Sequence, residues 1–275
     1  MDKKEKFEEI IEDIKSIKIQ GATNVAKAAI AAYLIQSDRE SVKRILGTRP
    51  TEPLMDHAIK YLSKSKDPQR AAKKFLSYIS HSEKKIEKLS QKLIKNNMNI
   101  YSHCHSSTVI DILKYAKNNK KRKFVVYTTE VEPLLQGRKT AKELAEHGIN
   151  VIVFPDLAAE QAMKKCDIFL FGADAFTKKG AVNKIGTSTL CEIAKANNIP
   201  RYSCGISLKF TNSKLKLEMR KPSELWHEHI KRVTEQNPAF DFVNGDLVSG
   251  IISELGVLSF KKFTKKAQEN LKKFK

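Results

Sequence analysis

Cysteine is scarce in this sequence of 275 residues, which contains four cysteines and no CxxC pair. This scarcity excludes the disulfide framework of short secreted proteins and favours a reducing cytoplasmic location. Long apolar runs are also missing, because no stretch approaches the roughly 20 apolar residues that a membrane span needs. The charged start, MDKKEKFEEI, has no apolar signal core. The sequence therefore predicts no membrane association.

Acidic residues are few relative to basic ones, with 31 Asp and Glu against 51 Lys and Arg, so the formal net charge is +20. Such an excess is compatible with nucleic acid, with anionic substrates, or with a generally lysine-rich composition. The densest basic patches lie at residues 120–123 and in the tail after residue 260. They are not interleaved with the aromatic side chains of a single-strand groove, so we do not expect nucleic acid as a partner.

The spacing of apolar residues changes near residue 97. Before it, apolar residues recur at helical spacing and no convincing strand occurs. After it, five short apolar runs alternate with helical segments; the runs cover residues 98–102, 123–128, 150–154, 166–171 and 200–204. This alternation predicts an α/β protein with a Rossmann-like, doubly wound parallel sheet after an N-terminal helical domain. We expect domains at 1–96 and 97–260, a basic tail at 261–275, and a last helix over residues 246–255.

The sequence HCHSS, residues 103–107, joins the first predicted strand to a predicted helix. A thiol at a helix N-terminus beside two histidines would have its thiolate favoured, which suits a base or a nucleophile. The alternative is that Cys104 is an inert buried thiol at a strand end. The adjacent His-Cys-His lacks the spacing of a structural zinc site, so no metal is expected.

Two further motifs place polar residues where strands end. Asp174 follows an apolar run and could act as a general acid if burial raises its pKa, or could simply cap a turn. Asn183 and Lys184 precede a helix start whose free N–H groups would form an anion site, although a solvated turn lysine is common. Arg49 lies in the turn GTRPTEP, with its side chain free to reach elsewhere. Neither a Walker pattern nor GxGxxG is present, so no nucleotide cofactor is indicated.

The motifs together resemble one family over nearly the whole chain. They are QGATNVAKAA, GTRPT, HCHSS, TTEVEPLLQGRKTAKEL, FPDLAAEQAM, GADAFTKKGAVNKIGT, LKF and GDLVSGIISELG. The family joins ribose-1,5-bisphosphate isomerase, methylthioribose-1-phosphate isomerase and the alpha, beta and delta regulatory subunits of eukaryotic translation initiation factor 2B. The resemblance implies an aldose-ketose isomerase of sugar phosphates that works without a cofactor or metal.

Residue roles follow from the resemblance. It implies Cys104 as the catalytic cysteine and Asp174 as the catalytic acid, and it places substrate contacts at Gly21, Ala22, Arg49, Gln136, Asn183, Lys184 and Lys209. It also implies a homo-oligomer, either dimer or hexamer, and the apolar run at residues 248–260 could supply the association surface.

Two departures from the family pattern keep a second function open. The isomerases that the chain resembles have arginine at the positions of Gln20 and Glu132. Loss of two cations weakens the case for a bisphosphate, so a non-catalytic regulatory or metabolite-sensing protein of the initiation-factor type is the alternative. If Glu132 faces the substrate, Glu132→Arg should tighten binding of a bisphosphate more than of a monophosphate.

Overall fold

The computed structural model describes residues 2–228 and 230–274, so the predicted domain ends at residues 1 and 275 lie outside the described residues. The helices are α1 (Lys3–Lys15), α2 (Ala22–Ile35), α3 (Arg39–Thr48), α4 (Pro53–Ser63), α5 (Pro68–Ser90), α6 (Ser107–Asn118), α7 (Gln136–Glu146), α8 (Ala159–Met163), α9 (Thr187–Ala196) and α10 (Phe260–Leu271). The strands are β1 (Met98–His103), β2 (Phe124–Thr129), β3 (Asn150–Phe154), β4 (Ile168–Phe171), β5 (Ala175–Phe176), β6 (Gly180–Lys184), β7 (Arg201–Cys204), β8 (Phe240–Asn244), β9 (Gly250–Ser253) and β10 (Gly256–Leu258).

Helices α1 to α5 precede the first strand, as the apolar spacing predicts. Their starts are encoded locally: Asp2 forms a capping box at α1, and Pro53 and Pro68 occupy the first turns of α4 and α5. The apolar stripe of α1 buries Phe7 and Ile14. Side chains of these helices and of the sheet belong to one contiguous core, and the division into separate domains stays a prediction.

A seven-stranded sheet forms the centre of the fold, in the order β10-β9-β7-β4-β1-β2-β3. All neighbouring pairs are parallel except β9 with β10, which confirms the predicted α/β class with a mostly parallel sheet. Strand β4 is buried along its whole length, which explains its continuous apolar run. Parallel pairing of β1 with β4 sets His103 opposite Phe171, so both strands end at the same edge.

One expectation about the C-terminal part is wrong. Residues 246–255 form a short turn and strand β9 rather than a helix, because this apolar run is short and Ile251 and Ile252 are fully buried in the sheet. That burial also removes them from the proposed association surface. The basic tail forms the amphipathic helix α10, which buries Phe263 and Leu271 against the core and leaves its lysines exposed.

A second sheet, in the order β5-β6-β8, was not predicted. It is antiparallel and holds Asn183 and Lys184 opposite Asp241 and Phe240. Within the described part of the chain, no helix has both the length and the apolar character that crossing a membrane requires.

Candidate active site

The candidate site lies where strands of the two sheets end. Cys104 directly follows β1, Asp174 follows β4 by three residues, and β6 ends at Lys184. Because β1 and β4 are parallel neighbours, their carboxyl ends meet at one edge of the sheet. Residues that are far apart in sequence therefore surround one cavity, with about 720 Å³ of space between its walls and its open mouth.

All nine residues predicted for the site line this cavity. They are Gly21, Ala22, Arg49, Cys104, Gln136, Asp174, Asn183, Lys184 and Lys209. The structure thus brings the predicted residues together, while their roles in binding and catalysis stay predictions. Gln20 also lines the cavity, at the position where the resembling isomerases have arginine.

Several lining residues escaped the sequence reasoning. The cavity also contains His105, Ser106, Ser107, Gly172, Glu218, Arg220, Ala239 and Phe240. Ser106 and Ser107 carried the helix-cap signal, but Glu218 and Arg220 lie in an irregular segment after β7 that has no apolar period. No local pattern could have assigned these two residues to the site.

Cys104 has a left-handed backbone conformation, with φ of 65°, and its Sγ lies 3.5 Å from Gln136 Oε1. Burial raises the pKa of the Cys104 thiol to about 11, and Lys184 opposes this only in part. Burial also lowers the pKa of His103 to about 4 and the pKa of His105 below its ordinary value. Burial therefore favours the neutral thiol, and because both imidazoles are held towards their neutral forms, the support for a thiolate expected from the two histidines is missing.

Asp174 meets the condition set for a general acid. Burial raises its pKa, while the cations Lys209, Arg49 and Lys184 oppose the increase. Lys209 is itself placed by the short turn Ser207–Lys209, where its Nζ donates to the carbonyl of Ala173 at 2.5 Å. Such a carboxyl group keeps its proton to a higher pH than an ordinary aspartate, which is the property that a general acid needs.

The turn that carries Lys209 is anchored by a buried carboxylate. Glu254 accepts hydrogen bonds from the backbone N–H of Ser207 at 2.9 Å and from the hydroxyl of Tyr78 at 2.8 Å. Asn270 of α10 donates to the hydroxyls of both Tyr78 and Ser207. The basic tail therefore contributes to the support of a site residue.

Arg49 is held between two carboxylates. Its Nε donates to Glu218 at 3.1 Å, and its Nη2 donates to Glu52 at 3.3 Å. Arg220 donates to the other oxygen of Glu218 at 2.9 Å. Both guanidinium groups line the cavity, so an incoming anion would compete with these carboxylates.

The expected anion site at the start of α9 is wrong. Gly186, with φ of +92°, lets the chain turn into the helix. The carboxylate of Asp241 then accepts the backbone N–H groups of Gly186 and Ser188, at 2.8 and 3.0 Å. These amides are consequently occupied by a group of the protein, and Lys184 is the cation that this motif adds to the cavity.

Glu132 does not line this cavity. It lies in the wall of a second one, with His103 and Asp156, and its backbone N–H donates to Asp156 at 2.8 Å. Glu132 therefore lies outside the cavity that the predicted site residues line. Among the described residues, no group of three or more His, Cys, Asp or Glu side chains is placed to hold a metal ion.

Comparisons with known proteins agree on one family. The model of the initiation factor 2 subunit family matches residues 5–260. The ribose 1,5-bisphosphate isomerase of Thermococcus kodakarensis is 33% identical, over 91% of this chain and 90% of its own length. The isomerase of the same name from Archaeoglobus fulgidus is 31% identical, over 91% and 88%. A solved structure titled translation initiation factor eIF-2B from Pyrococcus horikoshii superposes with a TM-score of 0.83 at 27% identity, covering 92% of this chain and 96% of that one.

Proposed function

Because the chain belongs to the initiation factor 2 subunit family, we propose that it is an aldose-ketose isomerase of sugar phosphates, with ribose 1,5-bisphosphate as its leading substrate. One observation carries the proposal: a thiol, a carboxyl of raised pKa and four cations, Arg49, Lys184, Lys209 and Arg220, line one cavity. Relatives of about 90% mutual coverage are named for this activity.

The substrate dictates the chemistry. An aldose 1-phosphate carries its phosphate on the anomeric oxygen, so the ring must open before C2 can be oxidised and C1 reduced. Asp174, protonated, would donate its proton to the ring oxygen as the C1–O4 bond breaks. The resulting carboxylate would then accept the O2 proton as the C2 carbonyl forms, which returns Asp174 to its starting state.

Cys104 would act on the transfer of hydrogen between C2 and C1. Two routes remain open, in which the sulfur carries the C2 proton to C1 or lies against a migrating hydride and stabilises it. The proton route requires that the thiol be deprotonated in the complex, and Lys184 is the neighbouring cation that favours the thiolate. Neither route needs a cofactor.

The proposal is tested by incubating the purified protein separately with ribose 1,5-bisphosphate and with methylthioribose 1-phosphate, and by following ketose formation by NMR. We expect ribulose 1,5-bisphosphate from the first substrate, and slower or no turnover of the second. Turnover of methylthioribose 1-phosphate alone would show that the substrate is the monophosphate and not the bisphosphate. Turnover of neither would overturn the isomerase assignment.

We further propose a cytoplasmic homo-oligomer, either dimer or hexamer. An apolar surface is available at the edge of the large sheet. There β3 exposes Ile152 and Val153 by 41% and 42%, and Leu157 is fully exposed. Edge strands of this kind are usually covered in the functional state.

The second candidate function is that of a regulatory protein of the initiation-factor type. It is favoured by Gln20, which lines the candidate cavity at the position where the resembling isomerases have arginine. A pull-down against the alpha subunit of initiation factor 2 and against RNA, at rising salt, separates the possibilities. Non-specific RNA affinity should fall steeply with salt, whereas a protein partner need not. No retained partner at physiological salt would exclude this candidate.

A further inference from the structure

Glu52 is an unusual carboxylate beside the cavity. It is the residue that immediately precedes α4, and its side chain has no exposed surface. One carboxylate oxygen, Oε1, accepts from Arg49 at 3.3 Å, while the other, Oε2, is buried with no hydrogen-bond partner. Since an ionised carboxylate is poorly stabilised when one oxygen is buried and unpaired, the protonated form is favoured.

Charged groups reach Glu52 from every neighbouring element. They are Arg49 at the end of α3, Asp174 after β4, Lys209 in the turn after β7, Glu218 in the following irregular segment, and Lys214, Asp56 and Lys60 around an adjoining cavity. Asp56 and Lys60 pair with each other at 2.7 Å. Burial raises the pKa of Glu52 most, and the negative charge of Asp174 adds the next largest increase. Arg49 and Lys209 oppose these effects, and the resulting pKa of Glu52 is about 8.

Arg49 connects Glu52 to the cavity. Its guanidinium is shared between Glu52 and Glu218, and Arg49 also lines the space that an anion would enter. An anion at Arg49 would face an ionised Glu52 across one cation, which is unfavourable in a buried setting. Protonation of Glu52 removes this repulsion and weakens one of the two ion pairs of Arg49, while the pair with Glu218 keeps the guanidinium in position.

We propose that anion binding in this cavity is coupled to proton uptake by Glu52, so that the site accepts a doubly charged phosphate only as Glu52 takes or keeps a proton. Burial raises the pKa of both Glu52 and Asp174, so the two carboxyls titrate as a pair. The inference deepens the proposed function, on which it rests for the identity of the natural anion. The coupling itself needs no turnover.

The coupling has a defined pH window. Below pH 7 Glu52 is already protonated in the free protein, so affinity is flat and little proton is taken up. Above pH 8 the free protein has lost this proton, and the apparent affinity falls by up to roughly tenfold per pH unit until the pKa of the complex is reached.

The test is calorimetric titration of the protein with two anions. Sulfate, which does not itself titrate between pH 7 and 9, is used over that whole range, and ribose 5-phosphate is used at pH 8 and 9. Repeating each titration in buffers of different ionisation enthalpy gives the number of protons bound. For wild type we expect little proton uptake at pH 7 and an uptake that rises towards one proton per bound anion at pH 9. Glu52→Gln keeps an oxygen for Arg49 and should reduce the uptake to near zero, with affinity independent of pH.

Controls keep the outcome specific. Glu146→Gln makes the same chemical change at an exposed position and should match wild type. Asp174→Asn should retain part of the uptake; complete loss there with retention in Glu52→Gln would overturn the assignment to Glu52. No uptake by wild type at pH 9, or no binding of either anion, would also overturn it. These wild-type results hold even if a variant fails to fold. An inactive protein that shows the uptake would refute the proposed function alone.

Discussion

At the scale of single residues, burial decides the protonation states in the site. It holds the Cys104 thiol and the Asp174 carboxyl towards their neutral forms, and it keeps His103 uncharged. Sequence reasoning predicted residues that the fold brings to one cavity, but it expected a charged thiol where burial favours the neutral one, because a helix start is visible in sequence and desolvation is not.

The first residue-scale prediction concerns the pH dependence of stability. The pKa of Glu52 rises from an ordinary 4.5 to about 8 on folding, so its favourable contribution is complete below pH 4.5 and is lost as the pH rises through 8. Glu52→Gln lacks this loss, so its melting temperature relative to wild type should increase between pH 5 and pH 9. Differential scanning calorimetry measures it. A constant difference would contradict the buried, titrating Glu52.

The second residue-scale prediction reverses an expectation from the sequence. Since Glu132 lines a separate cavity and is exposed, Glu132→Arg should change the affinities for a bisphosphate and for a monophosphate by less than about twofold. Gln20→Arg is the matched comparison, because Gln20 lines the candidate site. We expect it to tighten bisphosphate binding in calorimetric titrations. Preferential tightening by Glu132→Arg would contradict the placement of Glu132 outside the site.

At the scale of elements, five strands of the large sheet and most helices could be predicted from the sequence, because the apolar residues of each follow one clear period. The five strands are β1, β2, β3, β4 and β7. The small sheet could not, since β5 has two residues and β6 finds its second partner, β8, only through the long segment after β7. Contacts between distant segments were equally hidden. Arg49 and Glu218 are 169 residues apart, and nothing local to either predicts their pairing.

The element-scale prediction tests the contact between the end of β4 and the start of α6. A Cβ on Gly172 would lie 2.6 Å from Ser106 Oγ, and Ser106 caps α6. Gly172→Ala should therefore destabilise the protein by about 1–3 kcal/mol and reduce ligand affinity. Gly47→Ala, where no heavy atom lies within 4 Å, should be neutral or slightly stabilising. Urea unfolding of both variants measures this, and equal stabilities would contradict the close packing.

At the scale of the whole molecule, the net charge of +20 is compatible with an anionic substrate, since Lys184, Lys209, Arg49 and Arg220 concentrate positive charge at one cavity.

Assembly is the second property of the whole molecule. Because Leu157 is fully exposed beside the edge strand, Leu157→Asp should shift the protein towards its 31.2 kDa monomer in light scattering. Lys120→Asp, on a basic patch, is the control. A wild-type monomer at micromolar concentration would contradict the oligomer.

The central claim is that Cys104 and Asp174 carry out an isomerisation of a phosphorylated aldose. The most direct measurement is the rate of ketose formation from ribose 1,5-bisphosphate by wild type, Cys104→Ser and Asp174→Asn. The control is Cys191→Ser, which changes a buried thiol that does not line the cavity. We expect each site variant to lose at least about 100-fold in kcat while the control, if folded, retains activity. Turnover at the wild-type rate in both site variants would contradict the account.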